Sequence, residues 1–214
     1  MRLPRVLLAP LGDRHGMVSV LAKGHNDAVN AEVARTALLV LDVQTAIVEP
    51  APESFFVAMR RAVDAAHEAG IQVIYIRVEL RPGHVGVSRR NKRLTRLQPV
   101  LQQGAPGLEI HPSLAPEERD IVLTKHRVSS FAGSGLDVVL SSLGVTYLVL
   151  AGVSTSTAVL GTAMAAADMD FGLHVLSDAC FDARTDAHDL LMQDVLPAMA
   201  TVLSAEEWAA SMAH

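Results

Sequence analysis

The chain has one cysteine, no uninterrupted apolar run of about 18 residues, no internal repeat and no surplus of positive charge. Each absence removes a class of function. The lone Cys180 cannot form an internal disulfide, so a reducing compartment, the cytoplasm, is expected. Arg5 and Pro10 interrupt the apolar start, which argues against a signal peptide, and nothing further along reads as a membrane anchor. With 18 Lys and Arg against 23 Asp and Glu, the net charge of -5 gives no reason to bind nucleic acid or an anionic membrane, although the stretch from Arg81 to Arg96 is locally basic. A small-molecule partner is the expectation that remains. At 214 residues and 50% hydrophobic, the chain can bury one sizeable α/β core. We read residues 1–34 as an N-terminal extension and 35–214 as one domain.

What is present is an alternation. Ala37 to Leu41 is a continuous apolar run closed by Asp42, the pattern of a strand buried on both faces of a parallel sheet. Pro52 to Ala69 has apolar residues at helical spacing with Gly70 at its stop, and Ile71 to Ile76 is strand-like again. Residues 80–118 hold so many Pro and Gly that they predict a long loop with one short helix near 92–101, and long loops in compact domains are often functional. Strands are then predicted at 120–124, 145–150, 173–176 and 201–203. Helices are predicted at 136–143, 155–167 and 186–199, with a capping-box start at Ser204 to Glu207. This rhythm predicts a doubly wound, mainly parallel sheet with helices on both faces, a Rossmann-like three-layer α/β fold whose ligands bind outside the carboxyl ends of the strands. Asp42, Arg77, Lys125, the turn from Gly152 to Ala158, and Asp178 all directly follow apolar runs, so they are expected at one edge.

Four segments in this order resemble the isochorismatase-like hydrolases, the cysteine hydrolase superfamily. They are Thr36 to Gln44 (TALLVLDVQ), Lys125 to Phe131 (KHRVSSF), Leu150 to Thr155 (LAGVST) and Val175 to Cys180 (VLSDAC). The resemblance runs from about Arg35 to Leu203. It implies that Asp42 is the catalytic carboxylate, that Lys125 is its paired ammonium, and that a cis peptide joins Val153 to Ser154. It also implies a homodimer or larger homo-oligomer. In the amidases of this family position 158 is a cysteine; here it is Ala158, and a methyl group cannot form the thioester on which that chemistry depends. True isochorismatases also lack the cysteine, and there the carboxylate acts as a general acid on a vinyl ether. The resemblance therefore implies a hydrolase of a small, anionic molecule by Asp/Lys acid-base chemistry, without metal or cofactor.

For the substrate, Arg77, Arg81 and Arg127 are candidates to hold a carboxylate as a bidentate fork, and Gln44, Phe131, Ser154 and Thr157 are candidate contacts. Gln44 serves equally well as a bond to loop backbone, and Phe131 as core packing. Thr155 to Thr157 offer hydroxyls, but helix capping is the commoner use of such a cluster and the sequence shows no positioned His beside them. Cys180 reads as inert packing. The run Arg89 to Arg93 reads as a solvated helix face or a lid over the site. Two further readings stand beside the hydrolase: a non-catalytic ligand-binding or assembly protein that retains the fold, and a cysteine amidase whose cysteine was changed to Ala158 in the laboratory.

Overall fold

The computed structural model describes residues 33–212, so most of the expected N-terminal extension lies outside the described residues. The elements in chain order are β1 (Thr36–Leu41), a helical turn α1 (Thr45–Val48), α2 (Glu53–Glu68), β2 (Gln72–Val78), α3 (Lys92–Leu101), β3 (Ile121–Lys125), α4 (Leu136–Leu143), β4 (Tyr147–Val153), α5 (Leu160–Ala167), β5 (Gly172–Phe181), α6 (Thr185–Leu190), β6 (Thr201–Leu203) and α7 (Ala205–Ser211). The six strands form one parallel sheet in the order β3-β2-β1-β4-β5-β6. The chain winds outward in both directions from β1 and β4, so the topological switch point lies between these two strands.

The continuous apolar runs split by alternation. Leu38 and Val40 of β1 face Phe55, Met59 and Ala62 of α2 and Trp208 of α7, whereas Leu39 and Leu41 face Leu136 and Leu140 of α4 and Ala163 and Ala166 of α5. A strand covered on both sides needs no polar alternation, which is why the run reads as unbroken in the sequence. Helix α2 forms because Phe55, Phe56, Met59, Ala62 and Ala66 recur on one face, with Pro52 just before it and Gly70 at φ 71° just after. A third, smaller cluster, Val78, Leu80, Val87, Leu94, Leu101 and Leu108, anchors the long loop and α3. No helix of the described residues is long and apolar enough to cross a membrane.

Three expected elements change. The helix expected at 186–199 is α only over Thr185–Leu190; a wider turn (Leu191–Val195) and a tight one (Leu196–Ala198) follow, because Pro197 brings no N–H to an α ladder. The helix expected from Thr155 begins with a wide turn, Thr155–Val159, and becomes α only at Leu160. Strand β5 does not stop before Asp178 but runs to Phe181, with a register shift against β4 between Leu150 and Gly152.

Candidate functional site

Asp42 is the first residue past β1 and takes a left-handed conformation, φ 53°, which turns its side chain out of the strand alternation. Its N–H still donates to the Ile76 carbonyl at 2.8 Å, so the residue is fixed to β2. The neighbouring strand approaches here with no room to spare. Gly152 on β4 sits at φ 135°, and a Cβ on it would lie 2.1 Å from the Leu41 carbonyl oxygen. Glycine is thus required where the two central strands open around Asp42. Immediately beyond, the Val153–Ser154 peptide is cis, as the resemblance implied.

Lys125 ends β3, two strands from β1. Its fully buried side chain reaches past β2 to place Nζ 2.8 Å from Asp42 Oδ2, and Nζ also donates to the Val128 carbonyl at 2.9 Å. The other oxygen, Asp42 Oδ1, is buried and has no hydrogen-bond partner among the described residues. Sequence left open whether burial or the ammonium wins at this carboxyl. Burial wins: it pushes the Asp42 pKa above its ordinary value, against the opposing pull of Lys125 and, more weakly, of Arg93.

Asp42 opens into a cavity of about 230 Å³ whose wall includes Ile47, Val78, Arg93, Leu94, Leu97, Arg127, Val153, Ser154 and Ala158. Among the described residues the lining is largely apolar, with one carboxyl and two guanidinium groups as its charged members. Ala158 is almost wholly buried and stands on this wall beside the carboxyl.

The other expected contacts divide. Ser154 lines the cavity, and its hydroxyl is 2.9 Å from that of Thr157, which in turn accepts a hydrogen bond from Arg93 at 3.1 Å. Arg127 lines the cavity while donating to the backbone carbonyls of His126 and Gly86. Gln44 does not face the cavity. It is fully buried, donates to the carbonyls of Val78 (3.0 Å) and Leu108 (2.9 Å) and accepts from Val78 N–H (2.7 Å), so both its amide hydrogens are spent on tying the long loop to the sheet. Arg77 points elsewhere, donating to Thr124 Oγ1 at 3.1 Å. Phe131 packs on the core beside Phe171, ring centres 5.9 Å apart. Arg81 borders a different cavity. Asp178 is also away from the site: it is exposed within β5 and accepts a hydrogen bond from Ala205 N–H at 2.8 Å, at the start of α7.

Two residues add to the sequence reading. Arg93 is exposed and also lines the cavity, so the basic run that contains it combines the two readings given for it, a solvated face and a cover over the site; the usable signal was Asn91, whose side chain accepts from Leu94 N–H and starts α3 there. A His does stand beside the hydroxyl cluster: His188 Nδ1 is 2.8 Å from Thr155 Oγ1. Thr155 is fully buried, however, and neither residue lines the Asp42 cavity. Asp182 similarly accepts from the N–H and hydroxyl of Ser156, so these pairs brace the turn that carries Ala158. Cys180 is buried, and burial pushes its thiol up to about 12, so it holds no thiolate near neutral pH. Among the described residues no three His, Cys, Asp or Glu side chains converge to hold a metal ion.

A family model described as the isochorismatase domain matches residues 36–207. The ureidoacrylate amidohydrolase RutB of Acinetobacter baylyi is 30% identical over 207 residues, covering 83% of this chain and 82% of that protein. A protein of Arabidopsis thaliana named "Probable inactive nicotinamidase" is 31% identical over 190 residues, covering 83% of this chain and 96% of its own length. Among solved structures, a cysteine hydrolase from Pseudomonas syringae pv. phaseolicola superposes with a TM-score of 0.77 at 22% identity, covering 84% of this chain and 93% of that one.

Proposed function

This chain belongs to the isochorismatase family, and from that premise we propose that it hydrolyses a small anionic molecule with Asp42 as proton donor and water as the nucleophile. The observation that supports this most is the buried Asp42 Oδ1, without a hydrogen-bond partner among the described residues, on a carboxyl that lines a cavity together with the methyl group of Ala158, the position where the resemblance expects the amidases' cysteine. A carboxyl with a raised pKa and one free oxygen is suited to carry a proton there and deliver it to a bound substrate. Lys125 holds the other oxygen, fixing the carboxyl plane and steadying the anion left after transfer.

For an enol ether the steps balance without a covalent enzyme intermediate. The proton on Asp42 Oδ1 moves to the terminal vinyl carbon as the C=C electron pair forms the new C–H bond, leaving an oxocarbenium ion beside the Asp42 carboxylate. Water adds to that cation and returns a proton to Asp42. The hemiketal then expels the alcohol and leaves a carbonyl compound, so one water is consumed and Asp42 is restored. Arg93 and Arg127 are placed to hold a substrate carboxylate, and the apolar wall holds bulk water away from the cation. The same reading carries a homodimer or larger homo-oligomer, which light scattering would check, and a cytoplasmic location.

The test is a turnover screen of purified protein against isochorismate, other enol ethers, and small amides and ureas, with Asp42→Asn as control. Enol-ether turnover that falls by a hundredfold or more in Asp42→Asn, roughly the worth of a positioned acid, supports the proposal. Amide hydrolysis would overturn it. A second reading, a ligand-binding protein that has lost its chemistry, draws on Ala158 and on the name of the Arabidopsis relative. It expects ligand binding with no turnover of any class.

A further inference from the structure

On the far side of Arg127 lies a second cavity, of about 390 Å³, bordered by Arg81, Val85, Gly86, His126, Arg127 and Gly133. We propose that this outer cavity is an oxyanion site, taking a carboxylate or phosphate group between Arg81 and Arg127.

Three observations carry it. First, both guanidinium groups are uncompensated: among the described residues no carboxylate lies within 4.0 Å of Arg81 or Arg127, and no acid borders the cavity. Second, the polar groups are preorganised. Arg127 is held by the neutral carbonyls of His126 and Gly86, which orient its fork and leave its charge intact. His126 donates Nδ1–H to the Glu79 carbonyl at 2.6 Å, which fixes the ring at the border of the cavity. Arg81 follows Leu80, whose N–H and carbonyl are bonded to the Leu101 carbonyl and the Gln103 N–H, so the exposed side chain springs from fixed backbone. Third, residues 80–108 contain six Arg and Lys and no Asp or Glu, within a chain of net charge -5. That segment supplies walls to both cavities, and such a one-signed patch draws anions toward itself. A guanidinium group is the side chain best matched to the oxygens of a carboxylate or phosphate, and two of them border this cavity.

The bound group has two possible sources, the distal end of a substrate reaching past Arg127 and a free small anion. The first experiment is calorimetric titration of the whole protein with inorganic phosphate. Saturable binding is expected, weakened roughly tenfold or more by Arg81→Ala, the effect of losing one charged hydrogen-bonding partner. Because Arg81 is exposed, this variant is expected to fold with an unaltered Tm. Absence of binding, or binding kept undiminished in Arg81→Ala, would overturn the proposal. In a turnover assay, phosphate that raises KM at constant kcat assigns the site to the substrate's own anionic end; phosphate that changes kcat at saturating substrate assigns it to a free ion. The binding arm does not depend on Asp42 chemistry, so phosphate held through Arg81 by a protein without turnover would keep this inference and remove the previous one.

Discussion

One wall of the inner cavity comes from Asp42, Val153, Ser154 and Ala158, at the ends of β1 and β4; the opposite wall comes from Arg93, Leu94, Leu97 and Leu101 of α3. The sheet wall is held by strand pairing on both sides, by the buried Lys125–Asp42 pair and by Asp182 and His188 bracing the turn. The helical wall rests on a small apolar cluster, on backbone bonds between Leu80 and residues 101 and 103, and on the Arg93 contact with Thr157. The difference separates two jobs. A group that must hold a perturbed pKa needs a rigid, desolvated mounting, whereas a wall that sets which substrate fits can be carried by a less embedded segment.

The largest effect expected from breaking the comparison lies in the sheet wall. Lys125→Met removes the counter-charge of a buried carboxyl, and we expect a loss of about 3–5 kcal/mol near neutral pH, read by chemical denaturation. The loss is expected to shrink as pH falls, because a protonated Asp42 needs no counter-charge. A variant as stable as the parent at neutral pH would mean that Asp42 is already protonated there and draws nothing from Lys125.

Much of that sheet wall was legible in the sequence and little of the helical one was. A strand covered on both faces must be apolar throughout, so Ala37 to Leu41 with Asp42 at its end advertises both the strand and its polar terminus. Ala158 was visible because the turn around it has a characteristic sequence. The register shift in β5 was not, since nothing in Ser177-Asp178-Ala179 shows which strand residues lack partners; Asp178 was therefore expected past the end of its strand, at the same edge as Asp42, and is found within β5 beside α7. Gln44 and Arg93 show the same limit from opposite sides. Gln44 closes the first motif yet spends its amide on the backbone, and Arg93 looks like a solvent-facing charge yet lines the cavity. Whether a polar side chain is consumed by backbone or left for a ligand depends on what packs against it from distant segments, here residues 78, 108 and 157.

A second prediction concerns pH. Burial raises the Asp42 pKa in the folded protein, so between the ordinary value and the raised one the folded state holds a proton that the unfolded state has released. The stability contributed by protonated Asp42 is full below the ordinary value and is lost as pH rises through the folded one. Turnover that uses Asp42 as acid follows the same sign, with kcat constant at low pH and declining as pH rises. A kcat that instead rises through this range would make Asp42 a base and sink the proton-donor assignment.

Gln44→Leu is expected to cost about 3 kcal/mol, the low end for three buried groups, since it leaves the Val78 N–H and the Val78 and Leu108 carbonyls without this partner at about 1–3 kcal/mol each. The discriminating readout is the split between parameters. If Gln44 only ties the loop to the sheet, denaturation midpoints fall while KM at a temperature well below Tm changes little; a KM effect larger than the stability loss would return Gln44 to the substrate.

The smallest effect on the fold and the sharpest test of the two-wall comparison come together in Arg93→Ala. Arg93 is exposed and among the described residues caps no helix and makes one side-chain bond, to Thr157, so its removal is expected to change stability by no more than about 0.5 kcal/mol. It is also, among the described residues, one of two guanidinium groups on the cavity wall, and its charge lowers the pKa that burial raises at Asp42. Removing it therefore acts on two observables in fixed directions. KM for an anionic substrate is expected to rise roughly tenfold through the lost charged hydrogen bond, and the falling limb of the pH profile is expected to move upward because an opposing cation is gone. A variant with higher KM but an unmoved limb would mean that Arg93 meets the substrate without acting on the carboxyl. A variant with neither change would detach α3 from the chemistry and leave the sheet wall to select the substrate alone.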